Sequence, residues 1–183
     1  MDEDREGEES EAWTIYDVGR RKSARPLPEA AISALFARQY AVASVEQLND
    51  LGLGPRATQH RVATGRLYRI HQGVYALTRS SLLTREGRWL AAVLACGPGA
   101  VLSHRSAAAL SQLRPIGSAN VDVTAPKRRG RSRPGINAHT GSLHPDDVTI
   151  IRAIPCTTIA RTAVDLAEVV DDTTASTPCR LLG

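Results

Sequence analysis

Residues 54–77, GPRATQHRVATGRLYRIHQGVYAL, constrain this chain more than any other stretch. Gly54-Pro55 stops one helix and starts another, because proline is at home only in a helix's first turn. A short helix of basic and amide side chains follows, and Gly65 ends it. Leu67–Ile70 has the composition of a strand. Gln72-Gly73 suits a tight turn, and Val74–Leu77 suits the returning strand. A helix followed by a two-stranded wing is the pattern of a winged helix-turn-helix.

The residues upstream supply the other helices. Pro28 sits where helices begin, and Ile32, Leu35 and Phe36 share one face, which predicts a helix over Glu29–Gln39. Tyr40–Ala43 reads as a connection. Ser44 with Gln47 forms a capping box for a second helix, Val45–Leu51. Gly52–Gly54 is the turn. In the third helix Thr58 and Val62 point inward. Arg56, Gln59, His60 and Ala63 look outward, and Arg61 lies near the boundary.

A helix fits the major groove, where Arg and amide side chains match donor and acceptor patterns on base edges. Arg56, Gln59 and His60 are therefore the candidates for base contact. Arg61 and the wing residues Arg66, Arg69 and His71 are candidates for the backbone, where contacts give affinity and register rather than sequence choice. The alternative is a winged helix used for protein contacts, with these side chains solvated. Neither His60 nor His71 has a partner at metal-ligand spacing, and no cofactor is expected.

Charge favours the DNA reading. Residues 1–12 hold seven acids and one Arg, whereas residues 13–170 hold 21 Lys/Arg against 10 Asp/Glu. A body that basic favours an anionic polymer. The acidic start reads as a solvated tail. Arg20, Arg21, Lys22 and Arg25 form a basic arm, or a lead-in, before the first helix. The apolar share is mostly aliphatic, with one Phe and two Trp. Any core is locally thin, and two half-size units must lean on each other. Three cysteines without metal spacing and no signal peptide fit a reducing cytoplasm. No apolar run approaches a membrane span.

The second half alternates element types. Thr78–Leu83 is a linker. Thr84 caps a helix through Trp89, Leu90, Val93 and Leu94 to Cys96, and Gly97-Pro98-Gly99 ends it. Ala100–Leu102 is a short apolar run. Ser103 is placed to cap a helix through Leu110. His104 and Arg105 fall in that helix's first turn, which suits an anion site or a structural hydrogen bond. Val121–Thr124 alternates like a strand and Ile136–His139 like its return. That makes Lys127, Arg128, Arg129, Arg131 and Arg133 (KRRGRSR) a hairpin loop able to contact phosphate. Val148–Ile154 reads as a further strand and Thr158 as the cap of a last helix. Asp171–Gly183 has no period.

Several blocks resemble actinobacterial proteins of the AbiEi antitoxin family: LYRIHQGVY (67–75), LTREGRWLAAVLACGP (83–98), LSHRSAAAL (102–110), VDVT (121–124) and IPCTTIARTAVDL (154–166). The likeness spans about residues 30–168. It implies that a winged helix at 29–77 binds an operator and represses its own toxin–antitoxin operon. It implies that 84–168 is an antitoxin domain. The partner would be a nucleotidyltransferase toxin, opposed without a stable complex as in type IV systems. Arg69, His71, Gly73 and Tyr75 match the wing pattern, Ser103, His104 and Arg105 match the SHRSAA block, and Asp165 matches a late LDL-like block. Thr58 and Ser111 depart from the family, which usually carries a larger aliphatic residue and Trp there. Many relatives continue into an endonuclease-like domain, so the chain reads as a short form or a truncated product without nuclease function.

The expectation is an α+β protein. An N-terminal winged helix-turn-helix (28–78) precedes a small mixed α/β antitoxin domain (84–168), between a charged segment (1–27) and an irregular tail (169–183). No paired carboxylates, phosphate loop or nucleophile elbow argues for an enzyme. The partner is double-stranded DNA, bound by a homodimer on a palindrome or by monomers on repeats. A solitary regulator, a protein-interaction module and a remnant of a nuclease-fused relative are the alternatives.

Overall fold

The winged-helix unit forms where local signals put it. The computed structural model describes residues 29–113, 119–126 and 133–174. Helix α1 is Glu29–Arg38, α2 is Val45–Asp50 and α3 is Pro55–Ala63. The capping box is present. Gln47 N–H donates to Ser44 Oγ at 3.3 Å, and Ser44 N–H donates to Gln47 Oε1 at 3.0 Å. Two of the donors that α2 would otherwise orphan are thereby satisfied. Pro55 opens α3. Thr58 is fully buried, and its hydroxyl donates to the Leu53 carbonyl at 3.3 Å. That bond ties α3 to its own turn.

A strand emerges where a connection was expected. Val42–Ser44 is β1, and it pairs antiparallel with β3 (Val74–Ala76), which pairs with β2 (Tyr68–His71). Three residues are too few for alternation to register in a sequence. What aims β1 is the backbone of Tyr40 and Ala41, both at positive φ (52° and 64°), which turns the chain out of α1.

The small sheet is covered on both faces. Ala43 and Tyr75 face the three helices, with Ile32, Phe36, Leu48 and Leu53. Val42, Val74 and Ala76 face a second, larger core. Each fully buried Leu or Phe contributes roughly 1.5–3 kcal/mol. The few such side chains under the helices leave the unit marginal unless its other face is covered too. Helix α4 (Arg85–Cys96) does this. A β-carbon on Gly87 would come within 2.9 Å of the Tyr40 carbonyl oxygen, so only glycine lets α4 approach this closely. Thr84 caps α4 as expected, accepting from Gly87 N–H at 3.1 Å.

The same helix packs on the larger sheet, whose order is β6-β5-β4-β8-β7. The strands are β4 (Val101–Leu102), β5 (Val121–Ala125), β6 (Ile136–Thr140), β7 (Val148–Ile151) and β8 (Ile154–Thr157). Helices α5 (His104–Leu110) and α6 (Ile159–Thr174) pack against each other. No helix among the described residues is long and apolar enough to cross a membrane.

Three expectations are corrected. β5 and β6 are parallel, with Val121 opposite Ile136, so the basic segment between them is a crossover and not a hairpin loop. The run expected as one strand, Val148–Ile154, is the start of a hairpin. Its two-residue turn, Arg152-Ala153, sits at φ 50° and 57° without the Gly or Asn that usually marks such a turn. And α6 runs on to Thr174, past the point where the irregular tail was expected to begin. Residues 1–28, Lys127, Arg128, Arg129, Arg131 and the tail from 175, including Cys179, lie outside the described residues.

Candidate nucleic-acid interface

Arg56, Gln59 and His60 are all exposed on α3, on the side away from Thr58. The helix carries no acid. Its last turn is bound back by Thr64, whose hydroxyl donates to the His60 carbonyl at 2.9 Å. The three expected base readers thus form one polar, accessible helix face.

The expected backbone contacts divide. Arg61 turns back and forms an ion pair with Glu29 at the start of α1, where a carboxylate also complements the helix dipole. Its side chain is mostly covered, so it joins α3 to α1. Arg66, just past α3, is exposed. Arg69 is exposed as well and stands opposite Tyr75, which packs toward the three helices. His71 is opposite Val74, which packs toward α4. A register shift between Arg69 and His71 sends the two side chains to opposite faces. His71 is half-buried, and burial first, then the charge of Arg133, pushes its imidazole below the ordinary value.

Arg133, the last residue of the basic run, is also occupied within the fold. Its guanidinium donates to the Ala95 carbonyl in the last turn of α4. A cation at a helix C-terminus is favourable. Arg133 therefore fastens the crossover to α4. The hydrogen bond of Arg133 also places a guanidinium beside Cys96, whose thiol burial pushes up and whose Coulomb contact with Arg133 partly offsets.

Ser103, His104 and Arg105 were open between an anion site and a structural one. Ser103 and His104 are buried. The Ser103 side chain does not cap α5. It accepts from the Thr124 hydroxyl at 2.8 Å and lies 2.9 Å from His104 Nδ1. The His104 ring stacks on His139, with centroids 3.7 Å apart and planes 16° apart. His139 Nε2 lies 3.1 Å from Asp122 Oδ1, which also accepts from the Asn137 amide at 3.1 Å. Asp122 N–H donates to Ser106 Oγ at 2.9 Å. This network joins α5 to β5 and β6 in the interior. Arg105 is half-exposed at its margin. His139 and Asn137 escaped the sequence reading because their partner Asp122 is a neighbour only through parallel pairing.

Asp165 of the late block is likewise structural. It accepts from Arg161 Nε at 2.7 Å, and Arg161 reaches Asp147 at 3.3 Å. The hydrogen bond from Arg161 to Asp165 holds that guanidinium protonated and raises its pKa. No group of His, Cys, Asp and Glu among the described residues forms a metal site.

Comparison with known families bears on the same helices and wing. Residues 31–78 match the family model described as "Transcriptional regulator, AbiEi antitoxin". The match begins within α1 and ends just past β3, so it spans the exposed face of α3 and both faces of the small sheet. No curated protein matches the chain.

Proposed function

We propose, for a chain whose residues 31–78 carry an AbiEi-antitoxin regulator module, that it binds its own operator and represses the operon that encodes it. The family match supports a DNA-binding, antitoxin-like role. The observation that carries the finer reading is the exposed set Arg56, Gln59 and His60 on a helix fixed at both ends. Those side chains read base edges in the major groove, and Arg66 and Arg69 hold adjacent phosphates. Lys127, Arg128, Arg129 and Arg131 add backbone affinity from the crossover. A homodimer places two copies of α3 on a palindrome. The antitoxin role is exerted on a nucleotidyltransferase toxin without a stable complex.

The test is a gel shift against the protein's own promoter at two salt concentrations. A sequence-selective shift that weakens with salt supports the reading. No selective shift at either salt concentration overturns it. Replacing Arg129 and Arg131 should weaken all DNA alike and flatten the salt dependence.

A further inference from the structure

Helix α6 is turned the opposite way from an ordinary surface helix, which buries its apolar side. Its polar residues Thr162 and Asp165 are buried, whereas Ile159 and Val164 are each 57% exposed. From Ile159 to Ala167 every exposed residue of the helix is apolar. The strand beside it is equally open. β7 is an edge of the larger sheet, and no strand among the described residues pairs its outer side. Its sequence, VTII, has none of the charges, prolines or bulges that keep sheet edges apart, and Ile150 is 70% exposed. Helix and strand belong to one surface. Ile150 stands opposite Pro155 of β8. Two residues on, and so on the same face of the sheet, Thr157 holds α6 through a 2.7 Å hydroxyl bond to Thr162. Arg161 of α6 reaches Asp147, the residue before β7, at 3.3 Å.

We infer that this surface binds a second copy of the chain, through antiparallel pairing of β7 with its twin and contact between the two copies of α6. The inference rests on the homodimer of the proposed reading and assigns it a surface. One operation covers both open elements. A two-fold axis perpendicular to the sheet sets β7 antiparallel to its twin and keeps both copies of α6 on the same side of the joined sheet. An extended peptide would cover the strand and leave α6 open, and a lone helix would do the reverse. The ends of the strand match as well. Asp146 lies before β7 and Arg152 just after it, and each side chain is at least half exposed. Arg152 meets Glu86 of its own chain only at 3.4 Å. With Thr149 on the axis, antiparallel pairing sets Asp146 across from the partner's Arg152 and Ile150 across from the partner's Val148. Parallel pairing would align like charges instead.

The test is sedimentation equilibrium of the full chain without DNA, at concentrations up to about 100 μM, where even a weak dimer forms. A monomer–dimer equilibrium is expected. Ile150→Lys puts a cation into the strand pairing, and Val164→Glu puts an acid into the helix contact. Each residue counts twice across a two-fold axis, so each variant should weaken the dimer by about a hundredfold, tenfold per copy. Both side chains are exposed, so Tm at monomeric dilution should match wild type. Asp146→Arg should weaken the dimer less, and adding Arg152→Asp should restore it. A chain that stays monomeric throughout overturns the inference, as does a dimer that both Ile150→Lys and Val164→Glu leave intact. A charge swap that fails to restore the dimer overturns the antiparallel pairing. A gel shift on the same samples separates this from the operator reading. A monomer that still shifts its operator selectively overturns the dimer surface alone, and a dimer that shifts no DNA selectively overturns the operator reading alone.

Discussion

Arg69 and His71 are two positions apart on one strand and lead different lives. Arg69 points to the side of the sheet that carries α3, and it is exposed. His71 points to the side that carries α4, half-buried and against Arg133. The same division separates Arg56, open to solvent, from Arg61, bound to Glu29. Basic composition alone treats these residues as one surface. The fold sorts them into cations available for a partner and cations that hold elements together. The difference lies in what each contact excludes: an exposed guanidinium keeps its water until phosphate replaces it, and a half-buried one has already exchanged water for protein.

The strongest way to break this comparison is to remove the layer behind the wing. Trp89→Ala deletes the largest side chain of α4, the helix shared by both sheets. A cost of about 3–5 kcal/mol is expected, a large part of a typical domain's stability. Denaturant unfolding should show one transition, with the winged-helix unit lost together with the larger sheet. Two transitions, with the helices and wing surviving the first, would mean that the two faces are energetically separate.

A smaller effect sharpens the other face. Arg56→Ala with Gln59→Ala should leave Tm nearly unchanged. Each lost base contact should cost about 1–3 kcal/mol of discrimination, read as operator binding falling toward the non-specific level. Equal losses on operator and random DNA would make these residues phosphate contacts instead.

The helices of the first unit and α4 were legible because their signals are local. The Ser44–Gln47 box, the Gly54-Pro55 break and the Thr84 cap each lie within a few residues of the element they define. The exposed side of α3 follows from helical period alone. What was not legible depends on distant pairing. KRRGRSR sits between two alternating segments whether they pair parallel or antiparallel, and only the packed sheet decides. Arg61 reads as a backbone contact until Glu29, thirty-two residues away, is placed beside it. His104 shows its ring partner only when β6 brings His139 against α5.

The division between Arg56 and Arg61 gives a third prediction. Glu29 is well exposed, so the Arg61 pair should contribute no more than about 1 kcal/mol. Arg61→Ala should lower Tm slightly and leave the salt slope of DNA binding unchanged. A loss of about one in that slope would show that Arg61 leaves Glu29 for a phosphate.

The smallest effect belongs to His71 and tests the buried face by pH. Its imidazole titrates below 6.5 in the fold and recovers the ordinary value when the chain unfolds. Below pH 6.5 the unfolded chain therefore binds a proton that the folded chain does not. Stability from this residue is complete above 6.5 and is lost as pH falls from there to the lowered folded value. Subtracting the Tm–pH profile of His71→Gln from that of wild type isolates the residue. The difference should rise with pH across that window and be flat above it. Burial is the larger cause of the shift and Arg133 the smaller, so Arg133→Gln should shrink the rise without abolishing it. A difference that instead falls as pH rises would mean the folded state favours the imidazolium, which needs an anion beside His71 in place of the Arg133 charge.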